Sequence, residues 1–226
     1  MKTPRLLIFS GLLSFNGGLV DVVCFFGLHE LLAAHITGNL ATLCASLVLG
    51  TAGLLSKILA VPEFMAIAAL THGTGRLLKR PGWPAARLLL GVEVLLLALF
   101  LALAVRFGPF PDPDSFLALM TALAAIAAMA VQNGVQRAHI PEIPPTTFMT
   151  GNATQASIDI VDVFAGKADA RQKQRLARTA LNLTCFALGC AVAAVTFWAY
   201  GFWSVAVTLP VAIAAVALMP LRPPSA

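Results

Sequence analysis

The sequence predicts an all-α membrane protein with six transmembrane helices and two re-entrant half-helices, arranged as two inverted-topology repeats of three spans each. Three observations lead there: composition, a duplicated Thr-Gly-Asn triplet, and the placement of basic residues. Apolar residues make up 59% of the 226-residue chain and charged residues 11%, with a mean hydropathy of +0.87. Soluble domains carry about 25% charged and about 45–50% apolar residues. Several runs of about 20 residues hold few or no charges, enough to cross a hydrocarbon core about 30 Å thick. Because lipid offers no hydrogen bonds to the backbone, such runs are expected to form a helical bundle.

Hydropathy and chain breakers place the elements in order. Helix 1 is expected at about 6–28, followed by a link at 29–36 and a first Thr-Gly-Asn segment at 37–55. Met1–Arg5 and the apolar run after it mimic a secretory signal. However, the run contains Asn16, Gly17, Gly18 and Asp21 and shows no clear small-residue cleavage site, so a first membrane helix is expected. Helix 2 follows at about 58–78, a basic loop at 79–87 and helix 3 at about 84–106. The Pro/Asp-rich stretch from Gly108 to Asp114 divides the chain in the middle. Beyond it come helix 4 at about 115–138, a Pro-rich link and a second Thr-Gly-Asn segment at 150–165. A basic loop at 166–178, helix 5 at about 176–198 and helix 6 at about 201–220 complete the chain. The order helix, triplet segment, helix, helix thus occurs twice, giving repeat 1 at 1–107 and repeat 2 at 115–222 within one membrane domain.

The triplets Thr37-Gly38-Asn39 and Thr150-Gly151-Asn152 lie 113 positions apart, half the chain length. Whether their segments cross the membrane can be judged from charge. With six spans and both termini in the cytoplasm, only Lys57 and Arg106 lie outside, and the Lys/Arg split is 13 to 2. With eight spans, Arg76, Lys79, Arg80, Arg87 and Arg137 move outside while Lys57 and Arg106 move inside, a split of 10 to 5. Retention of basic loops on the cytoplasmic side favours six. Three spans per repeat is an odd number, so the repeats must oppose each other. The two half-helices would then enter from opposite faces and meet near the midplane.

In each triplet the Thr or Asn can cap a helix start, and the Gly permits close approach. Two half-helix N-termini with positive dipole ends and free N–H groups would suit an anionic or zwitterionic solute. Thr37, Gly38, Asn39, Thr150, Gly151 and Asn152 are therefore the candidate substrate-binding residues. The plainer alternative is a capped turn where helices cross. A coupling or polar path is assigned to Asp21, His35, Glu93, Gln132, Asn133, Asp159 and Asp162. Asp21, deep in helix 1, must face the bundle and either pair or titrate, and its counterpart in repeat 2 falls near Gln136. Asp159 and Asp162 share a helix face and could equally answer Arg171, Lys173 and Arg175. Glu93 has no evident partner in sequence, and His35 suits a vestibule or gate.

Several classes are set aside. A net charge of +5 comes from short loops, so nucleic acid is not an expected partner. His29, Glu30 and His35 are too few and poorly spaced for zinc, and no metal or cofactor is expected. Cys24, Cys44, Cys185 and Cys190 lie in apolar runs without C-x-x-C spacing and read as small hydrophobes. No hydrolase elbow, P-loop or H-E-x-x-H motif occurs, so the chain is not expected to be an enzyme.

The Gly18-x-x-Asp21 pattern, Thr37-Gly38-Asn39, the Gln132-Asn133 pair and the run from Pro145 to Asn152 together resemble the YoaK-like bacterial membrane proteins. These form a domain-of-unknown-function family of small inner-membrane proteins. The likeness covers essentially the whole chain and implies a multi-pass bacterial inner-membrane protein of about six spans. His35 before Ile36 departs from the apolar lead-in expected at the first triplet. The functional expectation is a transporter or channel for a small ion or polar solute, with protons as a candidate coupling ion. Its partners would be the lipid bilayer and that solute, with room for a homo-oligomer. A scaffold using the triplets for packing is the competing expectation, and an intramembrane enzyme the weaker one.

Overall fold

The computed structural model describes residues 3–78, 85–140 and 143–219. Lys2, Lys79, Arg80, Pro141 and Arg222, which entered the sequence reading, lie outside the described residues. The fold is all-helical: α1 (Thr3–Gly27), α2 (Gly38–Leu49), α3 (Leu54–Leu77), α4 (Ala85–Phe107), α5 (Phe116–His139), α6 (Met149–Phe164), α7 (Ala170–Tyr200), a 3-10 helix (Gly201–Val207) and α8 (Thr208–Leu218). Among the described residues, five stretches are long and apolar enough to cross a membrane: Pro4–Gly27, Leu54–Leu77, Ala85–Phe107, Phe116–His139 and the 49-residue run Ala170–Leu218. They make this a multi-pass membrane protein.

Two boundaries differ from expectation for identifiable reasons. The basic loop expected at 166–178 is largely helical, because Asp169 and Gln172 form a capping box that starts α7 at Ala170. Reciprocal bonds of that kind satisfy two otherwise free N–H groups and fix a helix start. Helix 6, expected from residue 201, begins instead as a 3-10 turn, since Gly201 adopts a left-handed φ of 55° that ends α7.

The long helices pack by exchange between the halves of the chain. Within the first half α2 packs on α3, and within the second α6 packs on α7. Across the halves, α1 packs on α7 and α8, while α5 packs on α3 and α4. Helices α1 and α7 run parallel: Ser10 meets Asn182 at one end, and the rings of Phe26 and Phe197 stack 5.7 Å apart at the other. Helices α3 and α5 are also parallel, with Gly134 against Thr71 and Gly75 beside His139. By contrast α4 and α8 are antiparallel, since Arg87 reaches the Ala217 carbonyl at 3.5 Å and Gly108 abuts Phe202.

These contacts define two ends of the bundle. At one end lie the close of α1 and the starts of α3 and α5. Glu30 sits 3.8 Å from Lys57, His29 Nε2 is 2.8 Å from the Phe110 carbonyl, and Asp114 accepts from the Gly53 and Leu55 N–H groups at 3.0 and 3.1 Å. The chain from 28 to 53, including α2, therefore leaves and returns at the same end. At the other end Pro144 accepts from both Gln136, in the last turns of α5, and Asn182 of α7, each at 3.3 Å. The segment containing α6 lies there.

Small residues bring α1 and α7 together. A Cβ on Gly18 would collide with the Phe186 carbonyl, and one on Gly189 with the Phe15 carbonyl, so each helix presents a glycine where the other's backbone approaches. Close backbone approach through small residues is a main source of helix association in lipid. Gly18→Ala should lower stability by about 1–3 kcal/mol, the usual cost of overpacking, read as a loss of thermal stability in detergent. An unchanged melting temperature would contradict the tight α1–α7 contact.

Candidate functional site

The site is built around the two non-helical links that precede the triplets. Backbone inside a bundle needs hydrogen-bond partners, and each link receives them in the same way, from one long helix and from its own triplet. In the first link, Asp21 of α1 accepts from the Ala34 N–H at 2.6 Å and the His35 N–H at 3.4 Å, while its second oxygen meets His35 Nδ1 at 2.6 Å. Asn39 accepts from the Leu32 N–H at 2.8 Å and donates to the Leu32 carbonyl at 2.7 Å. In the second link, Gln136 of α5 accepts from the Thr146 N–H at 3.0 Å and its hydroxyl at 2.8 Å. Asn152 donates to the Pro145 carbonyl at 2.7 Å. Asn39 and Asn152 each grip the residue seven positions earlier; Pro145 has no N–H, so the second grip has one bond where the first has two.

The triplets match in exposure as well. Thr37 and Thr150 are exposed, Gly38 and Gly151 half-buried, Asn39 and Asn152 buried. Leu32 covers Gly38, where a Cβ would stand 2.6 Å from its Cδ1, and the Phe148 ring covers Gly151. Neither Thr37 nor Phe148, the N-cap residues of α2 and α6, makes a side-chain cap bond. The first N–H groups of α2 are already bonded locally, Gly38 to His35, Asn39 to Ile36 and Leu40 to Thr37, at 2.9 to 3.2 Å. The half-helices, expected to meet near the midplane, do not touch. Each packs on its own neighbour, α3 or α7, and not on the other.

What converges instead is the pair of links. A Cβ at Gly17 of α1 would lie 3.7 Å from the Thr146 carbonyl, 3.8 Å from Ala34 Cβ and 4.0 Å from the Phe186 ring. Phe186 of α7 also meets the His35 ring edge-on at 4.9 Å. A polar thread leads to this point along α1. Ser10 donates to Asn182 Oδ1 at 2.7 Å, and Asn182 and Gln136 share the Pro144 carbonyl. Gln132 donates to the Thr146 hydroxyl at 3.0 Å and the Leu13 carbonyl at 3.1 Å, and Asn133 donates to the Thr147 hydroxyl. From Ser10 to Asp21 the thread follows roughly 16 Å of helix at 1.5 Å per residue.

The remaining acidic candidates fall elsewhere. Asp159 has a fully buried side chain and accepts from Arg175 Nε at 2.9 Å, Arg175 Nη2 at 2.5 Å and Gln155 at 3.0 Å, while Asp162 accepts from Gln172 at 3.0 Å. Both hold α6 to itself and to α7, away from the thread. The bond from Arg175 holds the Asp159 carboxyl below its usual range. Glu93 is 1% exposed on α4, with Asn16 Nδ2 at 3.5 Å.

Sequence reasoning missed Ser10, Asn16, Thr146, Asn182 and Phe186. Asn16 and Asn182, amides within apolar helices, carried a usable signal; Ser10, Thr146 and Phe186 did not. Lys57 was read only as an outer charge. Its amine is in fact buried, 2.8 Å from the Ser46 hydroxyl, and ties α2 to α3.

Asn39→Ala should destabilise the fold by about 1–3 kcal/mol by leaving the half-buried Leu32 N–H and carbonyl without these partners. Asn152→Ala should cost less, since one bond is lost, and paired thermal melts would show that order or refute it. For Asp159 the folded carboxyl titrates below the unfolded one. Its contribution is full above the unfolded value of about 3.9 and is lost as pH falls through the folded value. Arg175→Ala should flatten this acid-side loss, measured as hydrogen exchange of α6 amides against pH.

The sequence signature described as "Protein of unknown function (DUF1275)" matches residues 9–219. No curated protein and no solved structure matches the chain. A match over nearly the whole length, together with the multi-pass helical fold, means that the chain belongs to the DUF1275 family of proteins of unknown function.

Proposed function

We propose that the protein is a transporter or channel for a small ion or polar solute, passed along the α1 thread between the two links. The observation that carries this reading is the approach of both links to Gly17, one from each end of the bundle, with Phe186 beside Gly17 and against the His35 ring. Irregular backbone at membrane depth is tolerated where protein or a water-filled path covers it, and in transporters such breaks line the substrate site. A zwitterion suits a site with the Asp21 carboxylate on one side and Gln132 and Thr146 on the other. In this reading the triplets set the positions of the links, and Phe186 is the gate.

The same reading takes α2 and α6 as re-entrant and the halves as inverted repeats with six crossings. In support, α2 leaves and returns at one end of the bundle, α6 lies at the other, and the packing partners exchange between halves. The YoaK-like likeness and a bacterial inner-membrane location with cytoplasmic termini accompany this reading. A second reading, a scaffold without transport or catalysis, is favoured by the Leu32 and Phe148 covers over the triplet glycines.

Topology is tested by single cysteines at Asp112 and Ala168 in a background lacking the four native ones. An impermeant thiol reagent should label them from opposite sides, and same-side labelling would overturn six crossings. Transport is tested in proteoliposomes loaded with small anions or amino acids. Phe186→Ala should raise flux several-fold for a solute that uses the thread; absence of protein-dependent flux in both wild type and variant would favour the scaffold.

A further inference from the structure

A buried polar group on α4 plays no part in holding the links. Glu93 is 1% exposed, and Asn16 on α1 and Gln132 on α5 are each 0% exposed. Asn16 Nδ2 points at Glu93 Oε1 from 3.5 Å. Asn16 Oδ1 and Gln132 Oε1 are buried without hydrogen-bond partners. Gln132 bonds the Leu13 carbonyl, one helical turn from Asn16.

Ion pairs among the described residues join His35 to Asp21, Lys57 to Glu30 and Arg175 to Asp159, and none includes Glu93. The titratable side chains on the surrounding helices are Arg5, Asp21 and Cys24 on α1, Lys57, Glu63, His72 and Arg76 on α3, and Arg137 and His139 on α5. Described α8 carries none. On α4 itself, Arg106 lies over the Phe107 ring and Arg87 reaches the Ala217 carbonyl. A bare carboxylate at that depth is too costly to persist. It must either take a proton or gain a metal cation, and a metal would need several oxygen donors in place of the Asn16 amide N–H.

We infer that Glu93, with Asn16, forms a proton-binding site inside the bundle, loading and releasing one proton on its carboxyl. When protonated, the Glu93 O–H has the unpartnered Oδ1 of the same Asn16 amide as an acceptor within its reach; when ionised, it keeps the Asn16 N–H as donor. The site deepens the transport reading by naming its coupling ion, yet its test does not depend on any transported solute.

The test is labelling of the purified full-length protein with dicyclohexylcarbodiimide, which reacts with protonated carboxyls in apolar surroundings, followed by peptide mapping. The peptide bearing Glu93 should be modified, its rate falling about tenfold per pH unit above the titration point, with E93Q abolishing the label. Infrared difference spectra between acidic and basic pH should show a protonated-carboxyl band that E93Q removes. A pH-independent rate, an unmodified Glu93 peptide, or protection by sodium at constant pH would each overturn the proposal. The wild-type pH series decides the matter even if E93Q fails to fold. Flux without a titrating Glu93 would leave transport standing and remove the site; a titrating Glu93 without flux would do the reverse.

Discussion

Everything near the centre of this protein follows from one requirement: backbone that is not helical must still be hydrogen-bonded when no water is at hand. The links before α2 and α6 are such backbone. Their solution is the same in both halves, an acceptor from a long helix and an Asn from the triplet that follows. Asp21 and Asn39 serve one link, and Gln136 and Asn152 the other. These residues could not be replaced by apolar ones of similar size without leaving buried N–H and carbonyl groups unmet. The packing of α1 against α7 depends in turn on the links, because Ala34 and Thr146 rest on Gly17, next to the glycine that admits the α7 backbone.

The polar side chains of α1 therefore divide by direction. One set turns toward the links and α7, with Ser10 and Asp21 as its ends. The other turns toward α4, where Asn16 meets Glu93. Gln132 of α5 stands between the two, since it bonds both Thr146 of the second link and the Leu13 carbonyl, one turn from Asn16. On the transport reading, such a placement suits coupling between the proposed solute path and the proposed proton site, since displacement of α1 would be felt in both.

The class and the approximate helices were legible because a bilayer imposes length and apolarity directly on sequence. The pairing of Asp21 was legible in outline, since a carboxylate fifteen residues into a span has to find donors. Its donors were not, because they are backbone groups of a link whose path depends on the whole bundle. The triplets stood out in the sequence, but Asn39 and Asn152 grip Leu32 and Pro145, a use of the two amides that the sequence did not suggest. Spacing alone cannot distinguish an Asn that faces a ligand from one that grips its own chain. The start of α7 was misplaced because a run of basic residues reads as loop, whereas Asp169 and Gln172 close a capping box that lets the same residues wind into helix.

Pro145 introduces an inequality between two links that are held in similar ways. A carrier assembled from two identical units would rest with no preference between facing inward and facing outward. Here one link is gripped by two bonds from Asn39 and the other by one from Asn152, because proline brings no N–H to the second. On the transport reading, this small chemical difference is one of those that bias which side yields first and so set a resting orientation.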